Sequence, residues 1–222
     1  MDEPYLVVHD DFRFESGHSV TIRSLFQTGQ LDGNHAPCVP PDGGCTTSAT
    51  WTNGDARAIL TALHPTPYSW DTQWINQPDG IPHWAVRVVF PPEDNQERQV
   101  AALAELRSVS QDASFPALTY QNLQSDDDEG LAYEIFHAGP GPDIVAMRPV
   151  DHAGIPWTIS NPGQGWYLRT NGQYFVYRIA DPNPGPTPSE ADAGMIVGGT
   201  YLYYNDYLVA AVQTTSSAVM CF

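Results

Sequence analysis

Three stretches of the chain repeat their apolar residues at the spacing of an α-helix. They are residues 17–31, 53–64 and 95–109. The second is the clearest, because its apolar side chains recur at i, i+3, i+4 and i+7: Ala56, Ile59, Leu60 and Leu63. Thr52 and Asp55 resemble a capping box, which favours a helix start at that point. The periodicity therefore predicts three helices.

Other segments are rich in β-branched and aromatic residues or alternate as strands do. The strands predicted in the first two thirds of the chain cover residues 5–8, 46–51, 83–90, 131–136 and 143–150. From Ile155 onward the pattern is β only. Two hairpins are predicted there: residues 166–169 with 173–179 across Asn171-Gly172, and residues 195–204 with 207–212 across Asn205-Asp206.

Helices mixed with strands before residue 150, followed by strands alone, predict an α+β fold. We expect a core domain over residues 1–150 and a β-rich extension over residues 151–222 that packs on the core. No segment repeats at a fixed period, which disfavours solenoids and propellers. Twenty prolines and 18 glycines indicate short elements joined by many turns.

The charge of the chain is unusual because basic residues are scarce. The 222 residues include 9 arginines, no lysine and 26 acidic residues, which gives a formal net charge of −17. Binding to a nucleic-acid backbone is not expected, since neutralising phosphates needs clustered lysine and arginine. Apolar residues make up 41% of the chain, enough for a folded core. No apolar run approaches the length of a membrane-spanning helix.

The absence of lysine has two interpretations. A GC-rich source would replace lysine, but it would normally raise the arginine content as well. A protein delivered into a eukaryotic cell gains from lacking lysine, the acceptor for ubiquitin. The first residues lack the basic and apolar segments of a secretory signal. We therefore expect a cytoplasmic protein or one delivered into a host cell, unless a leader was removed.

The cysteines and acidic residues offer few ligands for a structural metal. Cys38 and Cys45 lie seven positions apart in a loop and could pair, which leaves Cys221 over. No C-x-x-C or H-E-x-x-H spacing is present, so no zinc site is expected. The acidic turn at residues 126–129 offers oxygens for Ca²⁺. It lacks the spaced ligands of a calcium loop, which favours a solvated turn.

Four segments in a fixed order carry candidate chemistry. The first strand ends with His9, Asp11 and Arg13, and a predicted helix follows. Next come Thr46-Thr47-Ser48, before a second predicted helix. Glu134 then lies inside an apolar strand directly after the acidic turn. The last segment, residues 134–145, reads EIFHAGPGPDIV.

These segments together resemble the ADP-ribosyltransferase superfamily of toxins and modifying enzymes. His9, Asp11 and Arg13 match the R-x-D-x-R spacing of its first strand, with histidine replacing the first arginine. Thr46-Thr47-Ser48 are similar to its S-T-S strand, and residues 134–145 to its segment around the catalytic glutamate. The resemblance covers about residues 5–150 and implies a split, mixed β-sheet core with a few helices and C-terminal hairpins.

The resemblance implies an enzyme that consumes NAD⁺. Glu134 would be the catalytic residue, because one carboxylate beside the ribose stabilises an oxocarbenium-like transition state. His9 and Arg13 would bind the adenosine ribose or diphosphate. The hydroxyl groups of Thr47 and Ser48 would brace Glu134 and line the nicotinamide pocket, and Thr46 would also contribute to cofactor binding.

The acceptor of the ADP-ribose stays open. Ala132 stands two residues before Glu134, where arginine- and guanine-modifying members carry Glu or Gln. A protein or small-molecule acceptor, or water in a simple NAD⁺ hydrolysis, is favoured over nucleic acid. One alternative is a non-enzymatic β-rich protein that binds a carbohydrate or a protein partner through its aromatic C-terminal hairpins. Another is an acidic inhibitor or immunity protein that meets a basic partner.

Overall fold

The fold is built from β-strands. The computed structural model describes residues 5–13, 21–27, 36–41, 45–64, 69–75, 83–90, 92, 97–111, 118–139, 141–181, 183–211 and 218–221. Within these ranges the chain forms eighteen strands, all paired antiparallel, and two short 3-10 helices, Val109–Gln111 and Val150–His152. The predicted α+β class, with its split mixed sheet, is therefore wrong.

The described residues form two compact units, one within Glu3–Phe115 and the other within Pro116–Phe222. The strands of the first unit are β1 (Tyr5–Arg13), β2 (Arg23–Gln27), β3 (Ser48–Asn53), β4 (Ala56–His64), β5 (Ser69–Ile75), β6 (His83–Val89) and β7 (Glu97–Ser108). They make a four-stranded sheet in the order β1-β7-β4-β3 and a three-stranded sheet in the order β2-β6-β5. One apolar cluster includes side chains of both sheets, such as Leu60 and Val88.

All three predicted helices are corrected by this unit. Residues 53–64 form most of β4 and the turn before it, and residues 97–108 form β7. Residues 23–27 of the first predicted helix form β2, and the rest of that segment that is described is not helical. In β7 both faces are buried, because Val100 and Ala102 join the core cluster while Ala101 and Leu103 are covered on the other face. A strand buried on both faces does not alternate between apolar and polar residues, and this alternation is the pattern by which strands are identified in a sequence.

The second unit contains eleven strands. They are β8 (Thr119–Asn122), β9 (Gln124–Ser125), β10 (Leu131–Phe136), β11 (Asp143–Met147), β12 (Trp157–Asn161), β13 (Trp166–Thr170), β14 (Tyr174–Arg178), β15 (Ala193–Val197), β16 (Tyr201–Tyr204), β17 (Tyr207–Ala211) and β18 (Ala218–Cys221). The six-stranded sheet runs β18-β15-β14-β11-β10-β8 and the five-stranded sheet runs β17-β16-β13-β12-β9. A single aromatic-rich core lies between them, with Trp157, Trp166, Phe175, Tyr177 and Tyr204 all buried.

The Asn171-Gly172 turn does not make the predicted hairpin. β13 pairs with β12 and β16, whereas β14 pairs with β11 and β15, so the chain changes sheets at this turn. The segment Gly198-Gly199 changes sheets in the same way between β15 and β16. A Cβ atom on Gly199 would collide with the backbone of Gly172, so the two glycines allow the crossing segments to pack closely.

The hairpin across Asn205-Asp206 is confirmed, but of the predicted first strand, residues 195–204, only residues 201–204 belong to it. β16 and β17 pair with each other, and Asn205 adopts a left-handed φ of 48° that asparagine tolerates well. Its side chain accepts a hydrogen bond from the backbone of Tyr167 at 2.9 Å and donates one to the carbonyl of Pro186 at 2.7 Å. The turn is therefore fixed against both its own sheet and the proline-rich loop.

A disulfide joins Cys38 to Cys45 in the first unit, as the sequence allowed. It closes a loop with a sequence separation of seven, beside the backbone pairing of Cys38 with Thr50 on β3. Such a crosslink stabilises mainly by restricting the unfolded chain, and a loop this short contributes about 2 kcal/mol.

We expect the double variant Cys38→Ser/Cys45→Ser to lower the free energy of unfolding by about 2 kcal/mol. Chemical denaturation with and without reductant measures it. Reductant should weaken the natural protein by a similar amount and leave the double variant unchanged. A double variant as stable as the oxidised protein would contradict the pairing.

Candidate functional site

The predicted site residues are divided between the two units. His9 lies on β1, Arg13 ends β1, Thr46 and Thr47 are exposed just before β3, and Ser48 begins β3. All five belong to the first unit, whereas Glu134 lies on β10 of the second. The side chain of Arg13 lies outside the described part of the structure.

His9 and Ser48 lie on the same face of the four-stranded sheet but on its two outer strands. The register aligns Ser48 with Thr61, Leu103 and Val7. His9 is therefore three interstrand spacings, about 14 Å, away across the sheet and two residues, about 7 Å, further along β1. His9 Nε2 is 2.9 Å from Gln99 Oε1, and Ser48 Oγ is 2.7 Å from Thr61 Oγ1. Burial lowers the pKa of His9, against the opposing effect of the Gln99 bond. These two residues do not converge on one ligand.

Glu134 lies inside the second unit. It stands directly opposite Ile144 of the core cluster, and none of its surface reaches solvent (0%). Its Oε2 accepts hydrogen bonds from the side-chain amides of Gln121 on β8 and of Asn161 on β12, the latter at 2.8 Å. Its Oε1 is buried and has no hydrogen-bond partner among the described residues. The carboxylate therefore links an edge strand of one sheet to the other sheet.

The acidic turn is held by two basic side chains. Asp127 lies 3.0 Å from Nδ1 of His152 and 3.4 Å from a guanidinium nitrogen of Arg148. Arg148 is fully buried, stacks on Trp157 at 4.9 Å and donates hydrogen bonds to the carbonyls of Asn171 and Gly172. Among the described residues, no group of three potential metal ligands forms.

The aromatic residues of the C-terminal strands divide into two sets. Strand alternation places Trp166, Leu168, Leu202 and Tyr204 in the core, so their neighbours point outward. We call the resulting outer surface of the five-stranded sheet the tyrosine face. It consists of Thr158, Ser160, Tyr167, Arg169, Tyr201, Tyr203 and Leu208.

Side chains of the tyrosine face are ordered against one another. The rings of Tyr201 and Tyr203 meet edge to face with centroids 5.5 Å apart. The guanidinium of Arg169 lies over the Tyr203 ring at 5.0 Å, and the Tyr167 hydroxyl donates to Asp206 at 2.9 Å. That hydrogen bond is the main cause that raises the pKa of Tyr167. Arg169 is exposed, and Leu208 exposes 52% of its surface.

Solvent-facing positions on an antiparallel sheet are normally polar, so three tyrosines and a leucine there are unexpected. The aromatic series was visible in the sequence, but Arg169 and Asp206 were missed. The alternation of core and outward residues along β13 and β16 is the sequence signal that places Arg169 on the outer face with the tyrosines. Asp206 was recognised only as part of a turn.

We predict that Glu134→Ala lowers the free energy of unfolding by about 2–4 kcal/mol, because two buried amides lose their acceptor and a void remains. Glu134→Gln keeps an oxygen acceptor and should cost about 1 kcal/mol. Urea denaturation measures both, and Glu190→Ala in an exposed loop is the control. If Glu134→Ala is no more harmful than the control, the interior placement is wrong.

A second prediction concerns pH. The Asp127 bond, aided by the charges of Asp127, Glu129 and Asp151, raises the pKa of His152 above its ordinary 6.5 despite burial. Protonated His152 therefore stabilises the fold below about pH 6.5, and this contribution disappears as pH rises through the raised pKa. Burial acts to raise the pKa of Asp127, but its bonds to His152, the Glu129 amide and Arg148 lower it overall. The ionised Asp127 carboxylate therefore stabilises the fold above pH 3.8, and this stabilisation disappears as the pH falls through the lowered pKa of Asp127.

We expect thermal unfolding to show a loss of stability above pH 6.5 of under about 1 kcal/mol, since His152 is partly exposed. His152→Gln should flatten this part of the pH profile. An unchanged slope in the variant would show that His152 is not the group responsible.

The described residues include no helix with the length and apolar character needed to cross a membrane. Comparisons of the chain with protein-family models, curated proteins and solved structures find no match. They support no family assignment, and the resemblance to ADP-ribosyltransferases gains nothing from them. The function must therefore be argued from the geometry of the chain itself.

Proposed function

We propose that the chain is a non-enzymatic carbohydrate-binding protein whose second unit holds a sugar on the tyrosine face. The observation that carries this proposal is the outward position of Tyr167, Tyr201 and Tyr203. Their neighbours along the strands fill the core, so core packing does not account for these three rings. The three rings are half-buried on the outer surface of the sheet, and an outward-facing aromatic patch of this kind is a typical site of interaction.

The chemistry of the face suits a pyranose sugar. One side of such a ring presents C–H groups, which pack on an aromatic ring, and its edge presents hydroxyl groups, which need donors and acceptors. Tyr201 and Tyr203 supply the aromatic surface. Arg169 lies beside Tyr203, and Thr158 and Ser160 lie one strand further across the sheet, opposite Arg169 and Tyr167. All three offer polar atoms to hydroxyl groups.

The face is also rigid, which favours binding. Its residues stand on paired strands rather than on loops, and the adjoining Asn205 turn is fixed by hydrogen bonds to Tyr167 and Pro186. Tyr204, beneath the face, donates from its hydroxyl to the carbonyl of Gly185 at 2.8 Å. A preformed surface loses little conformational entropy when a ligand binds.

The disulfide between Cys38 and Cys45 supports carbohydrate binding because it indicates the compartment in which the protein works. Disulfides persist mainly in oxidising compartments, such as the cell exterior, where glycans are abundant. A protein working there meets polysaccharides and glycoproteins rather than a cytoplasmic pool of NAD⁺.

The NAD⁺-consuming activity and the acidic-inhibitor alternative stay predictions. The geometry favours the enzyme less, because a catalytic carboxylate must touch the ribose and Glu134 is covered on all sides. Release of nicotinamide from NAD⁺ by the purified protein tests that activity directly.

We expect Tyr203→Ala and Tyr201→Ala each to weaken binding about tenfold or more, since an aromatic anchor contributes over about 1.4 kcal/mol. A glycan array identifies a ligand, and calorimetry then measures its affinity for each variant. Tyr120→Ala is the control, because Tyr120 is an exposed tyrosine on β8 of the other sheet. Equal losses from all three variants, or binding unaffected by the first two, would contradict the proposal.

A further inference from the structure

One arginine of the second unit is unlike the other two. Residues 116–222 include eleven acidic residues and three arginines, Arg148, Arg169 and Arg178. Arg148 contacts Asp127, and Arg178 forms two hydrogen bonds with Asp143, at 2.7 and 2.9 Å. Arg169 has neither a carboxylate nor a hydrogen-bond partner among the described residues. In so acidic a chain, an arginine without a carboxylate partner needs an explanation.

We infer that Arg169 binds the carboxylate of an acidic sugar, so that the ligand of the tyrosine face is a carboxylated pyranose. This inference rests on the proposed carbohydrate-binding function and names its ligand class. The guanidinium lies over Tyr203 at 5.0 Å, within the row Thr158, Arg169, Tyr203 and Leu208 that crosses the sheet. The guanidinium covers one face of the Tyr203 ring, so a sugar ring would pack on Tyr201 or on the other face of Tyr203. A carboxylate on the edge of that sugar would lie beside the guanidinium.

The geometry of arginine favours a carboxylate over other anions. A guanidinium is planar, always charged and able to donate two parallel hydrogen bonds to one carboxylate. Contact with Tyr203 orients this plane before the ligand arrives, which lowers the entropy lost on binding. Sulfate- or phosphate-rich ligands call for several cations, and Arg169 is the one cationic side chain on the tyrosine face as defined.

The net charge of −17 determines how the chain can bind an anion. Such a chain repels anions at long range, although screening limits this to about 8 Å at physiological ionic strength. Two acids lie beside the face: Asp206 accepts a hydrogen bond from the Tyr167 hydroxyl, and Asp126 accepts one from the backbone amide of Thr158. Recognition of an anion must then come from direct contact with Arg169 rather than from electrostatic steering.

The test is calorimetry at physiological ionic strength with four oligosaccharides. They are a hexuronic acid oligomer, its methyl ester, the neutral hexose oligomer and a sialylated oligosaccharide. The methyl ester keeps the ring and its packing but removes the charge. We expect the natural protein to bind one of the two carboxylated sugars about 10- to 100-fold more tightly than the ester and the neutral oligomer, the range for charged hydrogen bonds. The preferred one identifies the source of the carboxylate.

Variants test whether the guanidinium of Arg169 causes the preference for the carboxylated sugar. Arg169→Gln should abolish the preference, so that the acid, the ester and the neutral oligomer bind this variant with equal affinity. Arg169→Lys keeps the charge without the planar fork and should retain only part of the preference. Arg23→Gln removes one charge from the exposed surface of the first unit and should behave as the natural protein does. Near-ultraviolet circular dichroism confirms that each variant is folded.

The outcomes distinguish failure of the proposed role of Arg169 from failure of the proposed carbohydrate binding. Equal affinity of the natural protein for the acid, the ester and the neutral oligomer overturns the role of Arg169 and leaves carbohydrate binding standing. A preference that survives in Arg169→Gln also overturns it. If the natural protein binds no sugar, on the array or in calorimetry, the proposed function itself fails.

Discussion

Burial of one aromatic core between two sheets is the constraint on which the second unit depends. Trp157, Trp166, Phe175, Tyr177 and Tyr204 fill the space between the sheets. Because successive side chains of a strand point to opposite faces, this burial fixes the position of every residue between them. Tyr167, Arg169 and Tyr203 face outward for that reason. The proposed binding surface is thus a consequence of how the core is packed.

Buried polar groups of this unit hold its strands and loops together at defined points. Arg148 bonds the carbonyls of Asn171 and Gly172, where the chain crosses from one sheet to the other. Asp192 accepts hydrogen bonds from the hydroxyl of Tyr177 and from two backbone amides of the loop that precedes β15. Glu134 accepts hydrogen bonds from the side-chain amides of Gln121 and Asn161. Buried charged groups are tolerated only with such partners, and here they select one arrangement of the crossing segments.

The sequence predicted strands better than it predicted helices, for a physical reason. β1, β3, β6, β10 and β11 overlap the five strands expected before residue 150. The sequence predicts helices where β4 and β7 form, because alanine and leucine are good helix formers and β7 is covered on both faces. Only pairing with distant strands decides between the two structures, and that information is not local.

The candidate site was still harder to predict. Glu134 in an apolar strand suggested a catalytic carboxylate, yet burial turned it into an acceptor for amides from two other strands. The Asn171-Gly172 pair suggested a hairpin, but its glycine serves close packing against Gly199. The tyrosines were noticed as a group. Dividing them into core and outer faces required the strand bounds, which place Arg169 beside Tyr203.

A crystal structure of the protein soaked with a carboxylated oligosaccharide tests the central claim most directly. The account predicts a sugar ring packed on Tyr201 or Tyr203, with its carboxylate within hydrogen-bond distance of the Arg169 guanidinium. A sugar bound elsewhere on the chain, with the tyrosine face empty in crystals where that face is open to solvent, would contradict it.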